Sequence, residues 1–598
     1  MSRARRQPKQ TTTITRWRFA LAVLLMAVLM ALLLWHVALL QVVPGEDKGF
    51  EFLQGQGDAR TVRTESIPAY RGVITDRHGE PLAVSTPVVS LWANPRELSA
   101  DAVEVAALAG ALKMSEANLR SRLERYQTKE FIYLKRNMPP QEAEHILANR
   151  WPGVYGRTEY QRFYPAGEVV AHLVGFTNID ERGQEGIELA YNDWLSGHSG
   201  SKRVLKDLKG RVIKDDGQLK APVTGNDIHL SIDLRLQYLA YRELKQAVSE
   251  HGASSGTLVM LDVVTGEVLA MVNQPSFNPN DRTGIKTAAL RNRAITDQFE
   301  PGSTMKPLTI LAALESGRYH PKTLIDTSPG YIRINQKTLL DPVNYGVMDL
   351  TKVITKSSQV GISKVALDLE PEVVREMFFR LGMGQTTGVG FPGESLGLLP
   401  TRSRWSGIER ANFAFGYGMS VTALQLAQAY AVVANGGVKT SVSLLRRMAD
   451  NDSADGDRQA HGVPQGEQII SSKVTGDVMA MLKTVVEPGG TARLAQIPAY
   501  PAAGKTGTVH KVGAEGYVYN RYRSVFAGMA PADDPRIAIV VSIEDPSAGK
   551  YHGGTVAAPI FAKVAEDALR LLHVPPEVTP PSKNTVATDK SRPREPLS

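Results

Sequence analysis

Two residues three apart, Ser303 and Lys306, carry the plainest chemistry in this sequence. They lie in the stretch Phe299-Glu300-Pro301-Gly302-Ser303-Thr304-Met305-Lys306-Pro307. A serine hydroxyl is a poor nucleophile until a base takes its proton, and a lysine shielded from water becomes such a base once its pKa falls. Pro301 and Gly302 read as the turn that opens a helix, and the apolar run 308–314 as the buried helix that follows. Residues three apart share a helix face, so the Lys306 ammonium is expected to reach the Ser303 hydroxyl. The Ser-x-x-Lys spacing by itself is weak, because it recurs at Ser199/Lys202 and Ser547/Lys550. What separates Ser303 is its turn-to-helix setting and two pieces further along.

Those pieces are Lys356-Ser357-Ser358-Gln359 and Gly504-Lys505-Thr506-Gly507-Thr508. A Lys-Thr-Gly on an edge strand lets an extended substrate add as a further strand, and its glycine leaves room for close approach. Lys505 offers positive charge to a carboxylate and Thr506 a hydroxyl. In this order the three pieces resemble the Ser-x-x-Lys, Ser-Asp-Asn and Lys-Thr-Gly signature of penicillin-binding proteins and class A β-lactamases.

The elements that must position them are legible in outline. Thr257 to Val263 and Glu267 to Val272 read as a hairpin around Thr265-Gly266, and 234–249 as an amphipathic helix. Residues 523–530 and 536–543 read as strands and 556–572 as a closing helix. An α+β domain, an antiparallel sheet flanked by helices, is expected over 223–573. Before it, 42–222 alternates short extended pieces, turns and helices such as 102–109 and 116–125. This region is expected to be an elongated N-terminal pedestal. Residues 19–40 are 22 nearly unbroken apolar residues, long enough to span a hydrocarbon core of roughly 30 Å. Arg3, Arg5, Arg6, Lys9, Arg16 and Arg18 precede them, so the positive-inside rule leaves 1–18 as a cytoplasmic tail, makes 19–41 a transmembrane helix and exports the rest. A cleaved signal peptide would want a shorter run and a small-x-small site, which 39–44 does not offer.

The 598 residues include no cysteine, which excludes disulfides, thiol catalysis and thiolate metal sites. The net charge of +8 is concentrated partly at the N-terminus, and no basic stripe interleaves with aromatics, which argues against nucleic acid as a partner. The polar stretch 450–467 reads as a surface loop; its acids suggest a calcium loop, but Ala454 and Asp455 stand where an acid and a glycine are required. No metal or cofactor is expected. The Pro-, Ser- and Lys-rich tail 574–598 is expected to be disordered.

More of the chain resembles one family, the class B penicillin-binding proteins, D,D-transpeptidases that cross-link bacterial peptidoglycan. Arg71-Gly72 with Asp76-Arg77-x-Gly79 and Leu82-Ala83 looks like the first motif of their N-terminal module. Arg162-x-Tyr164-Pro165-x-Gly167 and Gly183-Gln184-Glu185-Gly186-Ile187-Glu188 look like the next two, and Gly416-Tyr417-Gly418-x-x-Val421-Thr422 like a later one. No segment resembles a glycosyltransferase module. Ala171-His172-x-x-Gly175-Phe176-Thr177 leans toward the division-specific branch, the FtsI type, over the elongation branch.

The resemblance implies roles. Ser303 would attack the penultimate D-Ala carbonyl of a stem peptide ending in D-Ala-D-Ala, Lys306 would be its base, and Ser357 would relay a proton to the leaving amine. Lys505, Thr506 and Thr508 would hold the substrate carboxylate, with Gly507 on the same strand. The backbone N–H groups of Ser303 and Thr508 would form the oxyanion hole. β-Lactam antibiotics would acylate Ser303. A glycan polymerase of the FtsW type and other division proteins would be partners, in the inner membrane. Two positions depart from the pattern. Gln359 stands where the family has Asn, which lengthens the amide by a methylene and leaves room for a transpeptidase of altered rate or a catalytically inactive scaffold. His552 follows Tyr551 where a second aromatic is common; Tyr417, Tyr522 and Tyr551 either line an aromatic wall or are ordinary amphipathic tyrosines. A serine β-lactamase would need a deacylating base that no segment supplies, and a β-lactam receptor would need more membrane spans and a cytoplasmic effector.

Overall fold

The computed structural model describes residues 15–42, 51–52, 57, 61–99, 103–206, 212–447, 466–513 and 516–576. Of the expected cytoplasmic tail the residues up to 14, together with the calcium-like acids at 450–457 and the tail beyond 576, lie outside the described residues. Helix α1 runs from Arg16 to Gln41, 26 residues with no buried side chain. Its sequence is dominated by Leu, Ala and Met, strong helix formers uninterrupted by Gly or Pro. It is long and apolar enough to cross a membrane, with a mean hydropathy of 2.7 over an 18-residue stretch.

The chain divides into two compact units. The first comprises 1–69, 89–158 and 198–223. It contains an antiparallel three-stranded sheet of Val62–Ile67, Gly200–Lys206 and Val212–Lys220, and a small core of its own. In that core the helices Glu104–Leu112, Glu116–Arg125 and Pro140–Leu147 bury Leu108, Leu119 and Ile146 with Leu134 of the strand Ile132–Met138. One of the two spare Ser-x-x-Lys pairs is disposed of here, since Lys202 lies in a strand and pairs with Asp215 at 3.1 Å.

The second unit comprises 70–88, 159–197 and 224–598. Its N-terminal segments share a continuous apolar core with the large sheet, Ile74, Leu82, Tyr164 and Leu173 belonging to the same cluster as Leu258 and Phe561. Their three glycine- and arginine-marked stretches converge on one carboxylate. Glu188, fully buried, accepts from Arg71 Nε at 2.6 Å through Oε2 and from Arg162 Nε at 2.6 Å through Oε1. Arg71 also donates to the Glu188 carbonyl (2.8 Å), Ser196 Oγ (2.9 Å) and Asn192 Oδ1 (3.1 Å). Three turns distant in sequence are thus tied by charge-assisted bonds.

In the same unit helix α2 (Leu234–Glu250) begins at Asp233, whose side chain caps it by accepting from Arg235 N. Strands β1 (Ser255–Asp262) and β2 (Val268–Gln274) follow as the expected hairpin. Next come α3 (Lys306–Glu315), α4 (Leu350–Thr355), α5 (Gln359–Asp368), α6 (Ala423–Ala434) and α7 (Ser472–Val486). The chain then returns through β3 (Ala503–Gly513), β4 (Gly516–Ala530) and β5 (Ile537–Glu544) to α8 (Gly553–Leu571). The sheet is antiparallel throughout, in the order β2-β1-β5-β4-β3. All seven residues from Ser255 to Leu261 are buried, so both faces of the centre are covered. Helices α2 and α8 pack together on one face, where Phe561 meets Phe526 at 4.8 Å, and α6 packs against the same strands from the other. The α+β class therefore holds. β3, which carries Lys505, is at the sheet edge, where its pleat is open to a partner strand.

Candidate active site

Ser303 sits on a single 3₁₀ turn, Gly302–Met305, that runs directly into α3. The turn is clasped from behind. Gly302 N donates to Gly416 O (3.2 Å), Phe299 and Val421 exchange backbone hydrogen bonds at 2.9 Å, and the Tyr430 hydroxyl donates to Thr304 O (2.8 Å). Gly416 is at φ +83°, and a Cβ there would come within 2.4 Å of Gly302 O. The Gly-Tyr-Gly stretch is glycine-bearing because two backbones touch at this point.

Lys306 is fully buried. Its ammonium donates to Ser357 O at 2.5 Å and to Ser357 Oγ at 3.1 Å, and among the described residues no hydrogen bond joins it to Ser303. Helix spacing predicted the shorter partnership. The tertiary fold offers instead a carbonyl acceptor that a buried ammonium cannot forgo. Lys505, also fully buried, donates to the same Ser357 Oγ at 3.0 Å, and to Thr506 O (3.2 Å) and Thr506 Oγ1 (3.3 Å). One hydroxyl therefore lies between two lysine nitrogens. Burial pulls Lys306 down to about 7, against an opposing pull from the Asp341 carboxylate. Burial and the charge of Lys306 push Lys505 well below its ordinary value. Two cations with one shared acceptor favour loss of a proton from the pair, which leaves a neutral amine beside Ser357.

Ser357 itself is at φ +57°, a left-handed conformation that costs about 1–3 kcal/mol for a residue with a Cβ. It lies between the end of α4 and Ser358, whose side chain caps α5 by accepting from Gly361 N at 2.8 Å. The loop is braced by Lys356 Nζ, which donates to Gly489 O (2.7 Å). A second brace comes from Asp341, which no sequence signal marked. It stands 17 residues away from Ser358, after a hairpin of Tyr331–Ile334 and Lys337–Leu340. Gln359 is the first residue of α5, half-buried, with its backbone N–H directed to Asp341 Oδ1 (2.6 Å).

On β3, Thr506 Oγ1 is 3.1 Å from Thr491 Oγ1 and Thr508 Oγ1 accepts from Gly553 N (3.0 Å). A Cβ on Gly507 would stand 3.0 Å from Pro301 O and 3.2 Å from Thr304 Cγ2, so the glycine sets how closely the edge strand approaches the Ser303 turn. The tyrosines separate into two clusters. Tyr522 and Tyr551 stack at 4.2 Å, with His510 4.7 Å from Tyr522 and His552 4.3 Å from Tyr551. Tyr417 packs edge-on to Tyr517 at 6.0 Å, and burial together with Glu300 pushes it up to about 12. Glu300 accepts from the Tyr517 hydroxyl (3.0 Å) and from Gly418 N (2.8 Å), and its own burial raises its pKa. Tyr517 is a neighbour that sequence reasoning missed, because it arrives through the β3–β4 hairpin. Among the described residues no group of His, Cys, Asp and Glu is arranged to hold a metal.

Residues 256–566 match the penicillin binding protein transpeptidase domain, and residues 66–230 match the penicillin-binding protein dimerisation domain. The chain is 44% identical over 528 residues to the probable peptidoglycan D,D-transpeptidase PbpC of Pseudomonas aeruginosa, covering 88% of this chain and 91% of that protein. It is 42% identical over 578 residues to the peptidoglycan D,D-transpeptidase FtsI of Escherichia coli K12, covering 96% and 95%. Penicillin binding protein 3 from Mycobacterium tuberculosis, in complex with aztreonam, is 28% identical with a TM-score of 0.65, covering 86% of this chain and 99% of that one. The transpeptidase domain of Burkholderia pseudomallei penicillin-binding protein 3 is 38% identical with a TM-score of 0.53, covering 58% and 98%.

Proposed function

The chain belongs to the penicillin-binding protein transpeptidases, and on that premise we propose that it cross-links peptidoglycan in the division septum through an acyl-enzyme on Ser303. It is a serine-type peptidoglycan D,D-transpeptidase that β-lactams acylate and inhibit. The observation that supports Ser303, Lys306 and Ser357 as its working groups is the Ser357 hydroxyl shared by two buried lysines beside the Ser303 turn.

In this reading a neutral Lys306 amine takes the Ser303 proton as Oγ attacks the carbonyl carbon of the penultimate D-Ala. The N–H groups of Ser303 and Thr508 receive the developing oxyanion, a pair of donors often worth a few kcal/mol in the transition state. The C–N bond to the terminal D-Ala breaks, and its nitrogen takes a proton passed through Ser357. Lys505, Thr506 and Thr508 hold the terminal carboxylate. An amine of a second stem peptide then attacks the ester carbonyl and gives a proton to Lys306; the C–Oγ bond breaks and Lys306 passes that proton to Ser303 Oγ, restoring the hydroxyl and the neutral amine. The edge position of β3 suits a stem peptide lying antiparallel to it.

The helix α1 anchors the enzyme in the inner membrane with residues 1–18 in the cytoplasm and the catalytic unit in the periplasm, as the six basic residues before the span favour. Residues 42–222 serve as the pedestal, 223–573 as the transpeptidase domain, and an FtsW-type glycan polymerase docks through anchor and pedestal. The deciding test is labelled-penicillin acylation of the full chain in detergent, wild type beside Ser303→Ala. Stable label lost in the variant supports the assignment. Rapid drug turnover by the wild type would point to a hydrolase, and no labelling of folded wild type would point to an inactive scaffold.

A further inference from the structure

Asp341 lies outside every stretch the sequence singled out, yet its carboxylate is committed in full to the middle of the site. It is 8% exposed. Oδ2 accepts from Ser358 Oγ at 2.5 Å, and Oδ1 accepts from the backbone N–H groups of Gln359 (2.6 Å) and Val360 (3.2 Å). Its own N–H donates to Gly330 O at 2.9 Å, which fixes the carboxylate's root to the base of the hairpin before it. The three groups it gathers are the first residues of α5 and its cap, where unpaired N–H donors favour a negative charge.

The residue immediately before this clamp is Ser357, held left-handed with its hydroxyl between Lys306 and Lys505. A strained residue persists only where its surroundings over-determine it. Asp341 grips the downstream side of the loop, as Lys356 grips the upstream side through Gly489 O. The same charge also acts on the base. The ionisable groups that meet here are Lys306 at the head of α3, Lys505 on β3, and Tyr345 just after Asp341. Asp341 is the acid in this set. It favours the ammonium form of Lys306, whereas burial opposes it.

We infer that Asp341 is a positioning residue for acylation: it clamps Ser358 and the start of α5 so that Ser357 stays between the two lysines. This inference rests on the Ser303 acyl-enzyme reading above. Both carboxylate oxygens of Asp341 are taken up by Ser358, Gln359 and Val360, so its effect is carried through the loop.

The experiment measures the second-order rate of labelled-penicillin acylation against pH on the full chain in detergent. Wild type, Asp341→Asn and Asp341→Ala are compared, each normalised to active enzyme by end-point labelling, with thermal unfolding in parallel. Asn keeps the shape but offers one accepting oxygen where the clamp uses two, so acylation per active molecule is expected to fall severalfold, and loss of the charge to move the acid limb to lower pH. Ala removes the clamp, and acylation per active molecule is expected to fall on the order of 10- to 100-fold, as for a reacting group displaced by about 1 Å. An Asn profile that superimposes on wild type overturns the inference. So does an Ala variant that unfolds earlier yet acylates at the wild-type rate, since that is the signature of a merely structural residue. If Ala does not fold, the Asn profile decides alone. Wild type that takes no label at Ser303 overturns the acyl-enzyme reading itself, a result readily told apart from these.

Discussion

Two buried ionic clusters of the same unit are built to opposite ends. At one, Arg71 and Arg162 close on Glu188 from both sides, each guanidinium with a carboxylate oxygen at 2.6 Å. At the other, Lys306 and Lys505 close on a neutral hydroxyl, with 3.1 and 3.0 Å to Ser357 Oγ. The first cluster holds its charges in fixed, compensated bonds, and arginine keeps its proton at any physiological pH. The second leaves like charges facing each other out of water, and lysine relieves that by losing a proton. Burial of charge with a bonded partner therefore fastens three turns together, whereas burial of two like charges around one hydroxyl favours the neutral amine that the proposed base requires.

The sharpest way to break this contrast is to give the second cluster the first cluster's chemistry. Lys306→Arg puts a cation that cannot serve as a base into the catalytic position, and acylation by labelled penicillin is expected to fall by roughly 10²–10⁴-fold. A loss under tenfold would remove Lys306 from the role of base. The reciprocal change, Glu188→Gln, leaves two buried guanidiniums without their counter-charge. It is expected to cost on the order of 3–5 kcal/mol in urea unfolding while acylation per active molecule stays near wild type. A stability change under about 1 kcal/mol would mean the triad does not fasten this region.

The pH dependence sharpens the same point. With Lys306 drawn down to about 7, its neutral form is the base, so acylation is expected to rise with pH through an acid limb near 7 and to fall below it as the amine protonates. A limb confined to the carboxylate range, or none between pH 5 and 9, would assign the base elsewhere. The smallest effect is expected at Gln359→Asn. The backbone of residue 359 is already fixed by Asp341, so only the amide's reach changes, and the acylation rate is expected to shift within about tenfold. Indistinguishable rates would show that the extra methylene at this position is without consequence.

Much of the architecture was legible because it is local. The apolar run before residue 41 could only be a long helix, the Thr265-Gly266 turn announced its hairpin, and the helix at Glu116–Arg125 was bounded by its own Ser115 cap. Ser303 and Lys505 were legible for a related reason: the turn-to-helix and edge-strand settings lie in the residues beside them. Less accessible was who meets whom. Helix spacing paired Lys306 with Ser303, but the ammonium is spent on Ser357, 51 residues on. Arg71 and Glu188 entered only as parts of two separate motifs, and the fold brings them together across a separation of 117 positions. Asp341 had no marker at all, since its importance consists wholly of donors that another segment presents.

The sequence by itself determined most of the elements, the family and the setting of the proposed nucleophile, because backbone propensity, apolar period and short motifs are properties of neighbouring residues. Only the tertiary structure decided the electrostatics. Whether a lysine is a base or a bystander depends on which charges and how little water surround it, and those are set by residues from α3, the α4–α5 loop, the hairpin before it and β3 meeting in one buried place.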